Sequence, residues 1–253
     1  MLMRVRSRTW RADRTLAEAP PGTRIYAVGD IHGSIEPLRH LHHLIQEDAR
    51  RHRAAHKLVV YLGDYIDRGM NPRGVIDLLL KEPLHGLKQV FLMGNHEAGL
   101  LRFLYNGSMG LAWLAYGGIS TVYSYGVRPP SAPADDGELR RIRRELARKI
   151  PRTHVEFLAQ LEPLHVEGDY VFVHAGLRPG VPLEQQSVRD LLWIRNEFLH
   201  CEEHFGKVVI HGHSITAIPD VRHNRIGIDT GAFASGRLTC LVLEGTRQEF
   251  IVT

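Results

Sequence analysis

Five apolar runs of this chain each end at a short motif that combines glycine with an aspartate, an asparagine or a histidine; in chain order the runs end in VGDIHG, LGDYIDRG, MGNHE, VFVHAG and VVIHGHS. Open α/β sheets bind ligands beyond the carboxyl ends of their strands, where several loops converge. Glycine permits the tight turns that let backbone and ligand approach closely. Aspartate, asparagine and histidine are metal ligands, so the pattern predicts a metal site at the strand ends of an α/β fold.

The order of the predicted elements supports this fold class. Apolar runs at 24–28, 57–62 and 87–93 alternate with segments of helical periodicity at 34–53, 74–81 and 97–105. This alternation indicates a parallel or mixed sheet with helices packed against it. Short apolar runs return after residue 161, which indicates the second sheet of a two-sheet sandwich.

The predicted organisation is an N-terminal arm and one domain. Residues 1–22 are polar and basic and form the arm. Residues 23–253 form a single domain, in which about 105–161 is a mostly helical insertion. On the first helix, His40, His42 and His43 interleave with core leucines and are expected on its solvated face.

Composition narrows the classes of partner. The net charge is only +4, and no nucleic-acid-binding module is recognisable. No stretch is apolar over the ~18 residues of a membrane span, and the N-terminus lacks the apolar core of a signal peptide. The only two cysteines, Cys201 and Cys240, agree with a reducing compartment. We therefore expect a cytoplasmic protein that binds neither nucleic acid nor membrane.

The motifs GDxHG, GDxxDRG and GNHE, followed by two strand-end histidines, together resemble those of the metal-dependent phosphoprotein phosphatases. This serine/threonine phosphatase family lies within the calcineurin-like metallophosphoesterases. The matching motifs run from Gly29 to Gly231, and HAGLRPG and LLWIRNEF resemble the bacterial branch. The resemblance implies an α/β fold of four layers, α/β/β/α, which is a β-sandwich flanked by helices.

The resemblance also implies two divalent metal ions. Asp64 would bridge them, Asp30 and His32 would complete one site, and Asn95, His174 and His213 would complete the other. His213 is preferred to His211 because the family has GH followed by Ser or Thr; His211 is expected to be a nearby hydrogen-bonding residue. Mixed oxygen and imidazole ligands suit Mn²⁺, Fe or Zn²⁺ better than Mg²⁺ alone, and Mn²⁺ is the first choice.

Catalytic roles follow from the same resemblance. Arg68 and Arg195 would bind the phosphate together with Asn95 and His96, although a surface ion pair is an alternative role for Arg195. Asp67 would orient His96, which would protonate the leaving group. Asp229 would support the wall of the site. Hydrolysis would proceed in one step, by attack of a metal-bridging hydroxide.

The leading functional prediction is a protein serine/threonine phosphatase, with phosphotyrosine as a further substrate and a phosphoprotein or phosphopeptide as the partner. Hydrolysis of dinucleoside polyphosphates or other small phosphoesters is the enzymatic alternative. A phosphate-binding module without catalysis is the non-enzymatic one. The sequence has no C-x5-R, D-x-D or GxxxxGK[ST] motif, which disfavours other phosphatase mechanisms and a nucleotide-binding P-loop. The sequence does not identify a regulatory subunit.

Overall fold

The computed structural model describes residues 17–130 and 134–253 of the chain. Residues 1–16, most of the predicted N-terminal arm, lie outside the described residues. Within the described ranges, no helix is both long and apolar enough to cross a membrane.

Short strands and helices alternate along the chain. The strands are β1 (Thr23–Val28), β2 (His56–Tyr61), β3 (Lys88–Phe91), β4 (Leu164–Glu167), β5 (Tyr170–Val173), β6 (Val208–His211), β7 (Asp220–Val221), β8 (Arg225–Gly227), β9 (Thr239–Glu244) and β10 (Arg247–Val252). The helices are α1 (Ile35–Arg51), α2 (Pro72–Lys81), α3 (Asn95–Asn106), α4 (Gly110–Trp113), α5 (Ile119–Ser124), α6 (Asp136–Lys149), α7 (Arg152–Ala159), α8 (Val188–Trp193), α9 (Asn196–Leu199) and α10 (Ala232–Ser235). A π-helical turn, Leu114–Gly118, joins α4 to α5.

The strands form two sheets, ordered β10-β9-β1-β2-β3 and β4-β5-β6-β8-β7. In the first sheet β1, β2 and β3 run parallel, whereas β9 pairs antiparallel with both β1 and β10. In the second sheet β5, β6 and β8 run parallel, and β4 and β7 pair antiparallel at the two edges. Each sheet thus contains three adjacent parallel strands that end on the same side.

Side chains alternate between the two faces of each strand, and this alternation builds three apolar layers. Tyr26 of β1 packs into a cluster with α1–α3 and α6, whereas its neighbour Ile25 packs between the two sheets. On the far face of the second sheet, Val171 packs with Phe198 of α9. The predicted four-layer α/β/β/α sandwich is confirmed.

The observed secondary structure differs from the prediction at short or polar elements. Strands β4 and β7 were not predicted, because β4 is partly exposed at every position and β7 has two residues.

The prediction of a solvated position for His42 was wrong: its side chain is buried and its Nε2 lies 2.8 Å from the Tyr61 hydroxyl. His40 and His43 are exposed as expected.

Candidate metal centre

The predicted site residues follow the carboxyl ends of the parallel strands. Asp30 and His32 follow β1, Asp64 follows β2, and Asn95 and His96 open α3 after β3. The second sheet contributes two histidines: His174 follows β5 and His213 follows β6. All seven side chains are buried.

The backbone at the site is strained. Among the described residues, the non-glycine residues with positive φ are His32 (45°), Asp64 (50°), Asp67 (70°), Arg68 (61°), Met109 (66°) and His213 (62°). All except Met109 are predicted site residues. A left-handed conformation costs such a residue about 1–3 kcal/mol and persists only where the surroundings impose it. The loops are therefore held in shape for the side chains they carry.

Glycines beside the ligands allow this close approach. A Cβ atom on Gly94 would overlap the carboxylate of Asp64, and one on Gly212 would overlap the carboxylate of Asp30. The glycines that precede Asn95 and His213 are therefore needed to give the carboxylates of Asp64 and Asp30 their space.

Asp64 joins two groups of potential metal ligands. Within each group the ligand atoms lie within 4.8 Å of one another: His32, Asp64 and His96 form the first, and Asp64, His174 and His213 form the second. Asp64 directs one oxygen to each, because its Oδ2 lies 3.3 Å from His32 Nε2 and its Oδ1 lies 3.5 Å from His174 Nε2. This placement suits a bridging carboxylate.

The imidazoles have the form that a metal requires. His32 Nδ1 lies 2.9 Å from the Ile66 carbonyl oxygen and His174 Nδ1 lies 2.8 Å from that of Leu62, so each Nδ1 donates and each Nε2 keeps a free lone pair. The Nε2 atoms of His32 and His213 are buried without a hydrogen-bond partner. Burial lowers the pKa of His32 to about 3 and the pKa of His213 to about 2, which keeps both rings neutral.

Oxygen ligands complete the centre. Asn95 Oδ1 lies 2.9 Å from His174 Nε2, which brings the amide oxygen to the second group. Asp30 belongs to neither group, and its Oδ2 accepts from the backbone N–H of His213 at 3.1 Å. Burial and the negative charges of Asp229 and Asp64 raise the pKa of Asp30 well above its usual value. Buried oxygen and nitrogen acceptors that face one another repel unless a cation lies between them. The residues present therefore suit a dinuclear metal centre.

His96, a member of the first group that the sequence predicts as a proton donor and not as a ligand, forms a hydrogen-bonded pair with Asp67. His96 Nδ1 donates to Asp67 Oδ2 at 2.7 Å. Asp67 is fully buried and also accepts from Trp113 Nε1 at 2.8 Å and from the Thr121 hydroxyl at 2.5 Å. Burial lowers the pKa of His96, but the charge of Asp64 and the hydrogen bond and charge of Asp67 outweigh it and raise this pKa to about 8.

The two predicted phosphate-binding arginines lie at the mouth of the centre. Arg68 Nη2 lies 3.3 Å from His96 Nε2, and its guanidinium lies 5.2 Å from the centre of the Phe233 ring. Arg195 is exposed and donates to the hydroxyl of Ser214, next to His213, at 3.3 Å. In the described part of the chain it makes no ion pair within 4.0 Å, which does not support the alternative role of a surface ion pair.

His211 and Asp229 lie beside the ligands without joining either group. His211 packs edge-on against Phe198, and its Nε2 lies 3.4 Å from Arg225 Nη1. Asp229 accepts from the backbone N–H of Gly231 at 2.9 Å. Of the two histidines in IHGHS, His213 belongs to a ligand group and His211 does not.

Sequence analysis missed Glu97, the last residue of GNHE. Its Oε2 accepts from the backbone N–H groups of Asp64 at 2.9 Å and Gly94 at 3.0 Å, and its Oε1 accepts from those of Tyr65 at 2.8 Å and Ile66 at 3.2 Å. This fully buried carboxylate ties the Asp64 loop to the start of α3. Its position three residues after Gly94 was the available signal, since an acidic residue there completes a capping box.

Glu97→Gln is expected to lower the free energy of unfolding by about 2–4 kcal/mol, because its amide nitrogen cannot accept from two of the four backbone donors. The affinity for metal should also fall, since the Asp64 backbone N–H loses the carboxylate to which it donates. Urea unfolding and Mn²⁺ titration would measure both. The matched control is Glu36→Gln at an exposed position of α1, and equal effects of the two substitutions would contradict the role of Glu97.

Known proteins resemble between 38% and 85% of the chain. The asymmetrical bis(5'-nucleosyl)-tetraphosphatase PrpE of Anoxybacillus flavithermus is 25% identical over 235 residues, 85% of this chain and 88% of that protein. The symmetrical bis(5'-nucleosyl)-tetraphosphatase of Nitrosospira multiformis is 27% identical over 164 residues, 65% of this chain and 47% of that protein. An uncharacterized protein of Caenorhabditis elegans is 36% identical over 102 residues, 38% of this chain and 39% of that protein. The matches thus span less than half of the last two relatives.

Solved structures share the fold at low sequence identity. A candidate diadenosine tetraphosphatase superposes with a TM-score of 0.61 at 22% identity, over 94% of this chain and 97% of that one. A serine/threonine phosphatase from Saccharomyces cerevisiae superposes with a TM-score of 0.52 at 15% identity, over 92% of this chain and 80% of that one. The family model for calcineurin-like phosphoesterases matches residues 23–225. The chain therefore belongs to the calcineurin-like metallophosphoesterases, a family of metal-dependent hydrolases.

Proposed function

We propose that this chain is a phosphoprotein phosphatase that hydrolyses phosphoserine and phosphothreonine. The observation that carries the proposal is the Asp67–His96 pair, in which Trp113 and Thr121 hold Asp67 next to the first ligand group. Serine and threonine depart as alkoxides, which are poor leaving groups and need a proton. A positioned general acid contributes about 10²–10⁴-fold to such a step.

Three contacts of His96 support this role. Its Nδ1 is engaged by Asp67, which leaves Nε2 as the nitrogen that can donate a proton to a substrate. That Nε2 lies 3.8 Å from Asp64 Oδ2 and 3.3 Å from Arg68 Nη2. It therefore lies between the predicted bridging ligand and a predicted phosphate-binding residue.

The remaining site residues divide into metal ligands and phosphate-binding groups. The residues that would hold two divalent ions are Asp30, His32, Asp64, Asn95, His174 and His213. Such ions, with Mn²⁺ as the first choice, would neutralise phosphate oxygens and activate water. Arg68 and Arg195 would bind the phosphoryl group, since a guanidinium presents paired donors to its oxygens.

The partner in this proposal is a phosphorylated protein or peptide in the cytoplasm. Cys201 and Cys240 are free thiols, which fits a reducing compartment. No nucleic acid or membrane takes part.

A second candidate is hydrolysis of dinucleoside polyphosphates, which the two tetraphosphatase relatives favour. The leaving group of that reaction is a nucleotide that departs as a stabilised anion, so it depends less on a proton donor. Initial rates on phosphoserine and phosphothreonine peptides and on diadenosine tetraphosphate, each with added Mn²⁺, would separate the candidates. Turnover of the nucleotide alone would reject the phosphoprotein assignment.

Arg195→Ala is expected to raise KM for a phosphoserine peptide about tenfold or more, because a charge-assisted hydrogen bond to phosphate is lost. Bound metal should not change, since Arg195 is not a predicted ligand. Steady-state kinetics and elemental analysis would measure the two quantities. Arg189→Ala removes another exposed arginine as a matched control, and a wild-type KM in Arg195→Ala would remove Arg195 from phosphate binding.

A further inference from the structure

Phe233 is an aromatic residue at the mouth of the site to which the proposed reaction gives no role. It belongs to α10, the short helix that follows β8, and it is half-buried. The guanidinium of Arg68 lies over its ring, with the guanidinium carbon 5.2 Å from the ring centre. The same ring packs edge-on against His32, with ring centres 5.4 Å apart and planes inclined at 86°. Phe233 thus contacts both a predicted phosphate-binding residue and a predicted metal ligand.

The chain around α10 fixes the position of this ring. Ala232, the first residue of the helix, is buried. The hydroxyl of Ser235, its last residue, donates to the Thr230 carbonyl oxygen at 2.9 Å. The backbone N–H of Gly231, just before the helix, donates to Asp229 Oδ1 at 2.9 Å. The helix that carries the ring is therefore held at both of its ends.

The guanidinium of Arg68 has few other contacts that fix its orientation. Within the described residues it makes no ion pair within 4.0 Å. Its two polar contacts there are long: Nε donates to the Tyr116 carbonyl oxygen at 3.4 Å, and Nη2 lies 3.3 Å from His96 Nε2. An arginine side chain also loses much rotamer entropy when it is fixed. A neighbour that restricts this side chain before substrate arrives would therefore favour phosphate binding.

An aromatic ring can orient Arg68 without competing with phosphate. A carboxylate would occupy the paired N–H donors of the guanidinium and neutralise its charge. The face of a phenyl ring attracts that charge through the ring quadrupole and takes up no hydrogen-bond donor. The donors of Arg68 therefore stay available to phosphate oxygens while the ring restricts where the guanidinium lies.

We infer that Phe233 is a positioning residue for phosphate binding, which holds the Arg68 guanidinium by a cation–π contact in the orientation that receives the phosphoryl group. The inference rests on the phosphate-binding role of Arg68 in the proposed function and adds a residue to it. The side chain of Phe233 has no polar atom to offer the phosphate, so it acts through Arg68. Because the phosphoryl group is common to all phosphoesters, the effect should not depend on the leaving group.

The test uses the Mn²⁺-loaded enzyme with an aryl phosphate as substrate and inorganic phosphate as competitive inhibitor. Phe233→Leu is the main variant, because leucine keeps apolar volume against His32 and lacks a π face. We expect KM for the aryl phosphate and Ki for inorganic phosphate each to rise about three- to fivefold. The value of kcat should change less than about twofold, since Arg68 binds the phosphoryl group in the ground state as well as in the transition state.

Two matched variants make the comparison specific. Phe233→Tyr keeps the face of the ring and should stay within about twofold of wild type in both KM and Ki. Tyr123→Ala removes an aromatic residue that is 72% exposed and should not change either constant. Elemental analysis should find two metal equivalents in each variant. Loss of metal in Phe233→Leu would show that the ring supports His32 instead, and it would overturn the inference.

A double-mutant cycle shows whether the effect passes through Arg68. Arg68→Ala should raise KM and Ki more than Phe233→Leu does. Adding Phe233→Leu to Arg68→Ala should then raise them little further, because the effects of two residues that act as a unit are not additive. Calorimetric titration of the same Mn²⁺-loaded proteins with inorganic phosphate supplies a readout that does not depend on turnover.

The possible outcomes distinguish this inference from the proposed function. Wild-type constants in Phe233→Leu, or additive increases in the double variant, would overturn the inference alone. Wild-type constants in Arg68→Ala would remove Arg68 from phosphate binding and overturn the inference with it. Turnover of the aryl phosphate and of diadenosine tetraphosphate without any phosphopeptide would reject the phosphoprotein assignment, whereas the rise in KM and Ki in Phe233→Leu would still support the inference.

Discussion

Asp64→Asn is expected to lower hydrolysis of every phosphoester by at least about a thousandfold and to reduce bound metal from two equivalents to one or fewer. In the described part of the chain, Asp64 is the one residue that belongs to both ligand groups. An amide has a single oxygen and no charge, so it cannot serve both groups. Elemental analysis and initial rates on an aryl phosphate would measure the two losses.

Asparagine is the informative replacement at this position because it preserves the fold. Asp64 has a φ of 50°, and asparagine tolerates the left-handed region as well as aspartate does. The backbone carbonyl that accepts from Ile31 and His32 is also kept. Asp136→Asn at an exposed site on α6 is the matched control. Two metal equivalents in a folded Asp64→Asn protein would contradict the bridging role.

The sequence predicted the parts of the site that lie at strand ends. An apolar run followed by glycine and a ligand is a local pattern, and parallel pairing of β1, β2 and β3 then brings Asp30, Asp64 and Asn95 together. The same rule placed His174 after β5 and His213 after β6. Local patterns were sufficient here because parallel pairing of the strands brings their carboxyl ends, and the residues that follow them, together.

The supporting residues could not be predicted in this way. Trp113 and Thr121 reach Asp67 from 46 and 54 residues further along the chain. Tyr116 and Trp193 come together from the π-helical turn and α8. No periodicity or motif marks these contacts, because they depend on how the helices between β3 and β4 pack against the strand-end loops and against α8, which follows β5.

His96→Asn is expected to slow hydrolysis most for substrates with poor leaving groups. The rate on a phosphoserine peptide should fall about 10²–10⁴-fold, because the alkoxide loses its proton donor. The rate on an activated aryl phosphate, whose leaving group departs as a stable anion, should fall less than about tenfold. Metal content should remain at two equivalents, since His96 is not among the predicted ligands. His43→Asn on the exposed face of α1 is the matched control, and equal losses on both substrates would remove His96 as the acid.

The role of Asp67 in the same step can be separated by a double-mutant cycle. Asp67 contacts His96 at 2.7 Å and is fully buried, so it reaches the substrate only through that ring. Asp67→Asn alone should therefore slow the phosphoserine reaction substantially, whereas the same substitution in the His96→Asn enzyme should slow it little further. The effects of mutating two residues that act as a unit are not additive. The pH dependence of kcat/KM should shift in Asp67→Asn, whereas a purely structural role would leave that profile in place. Additive losses would show that Asp67 acts independently of His96, and the proton-donor pair would then have to be abandoned.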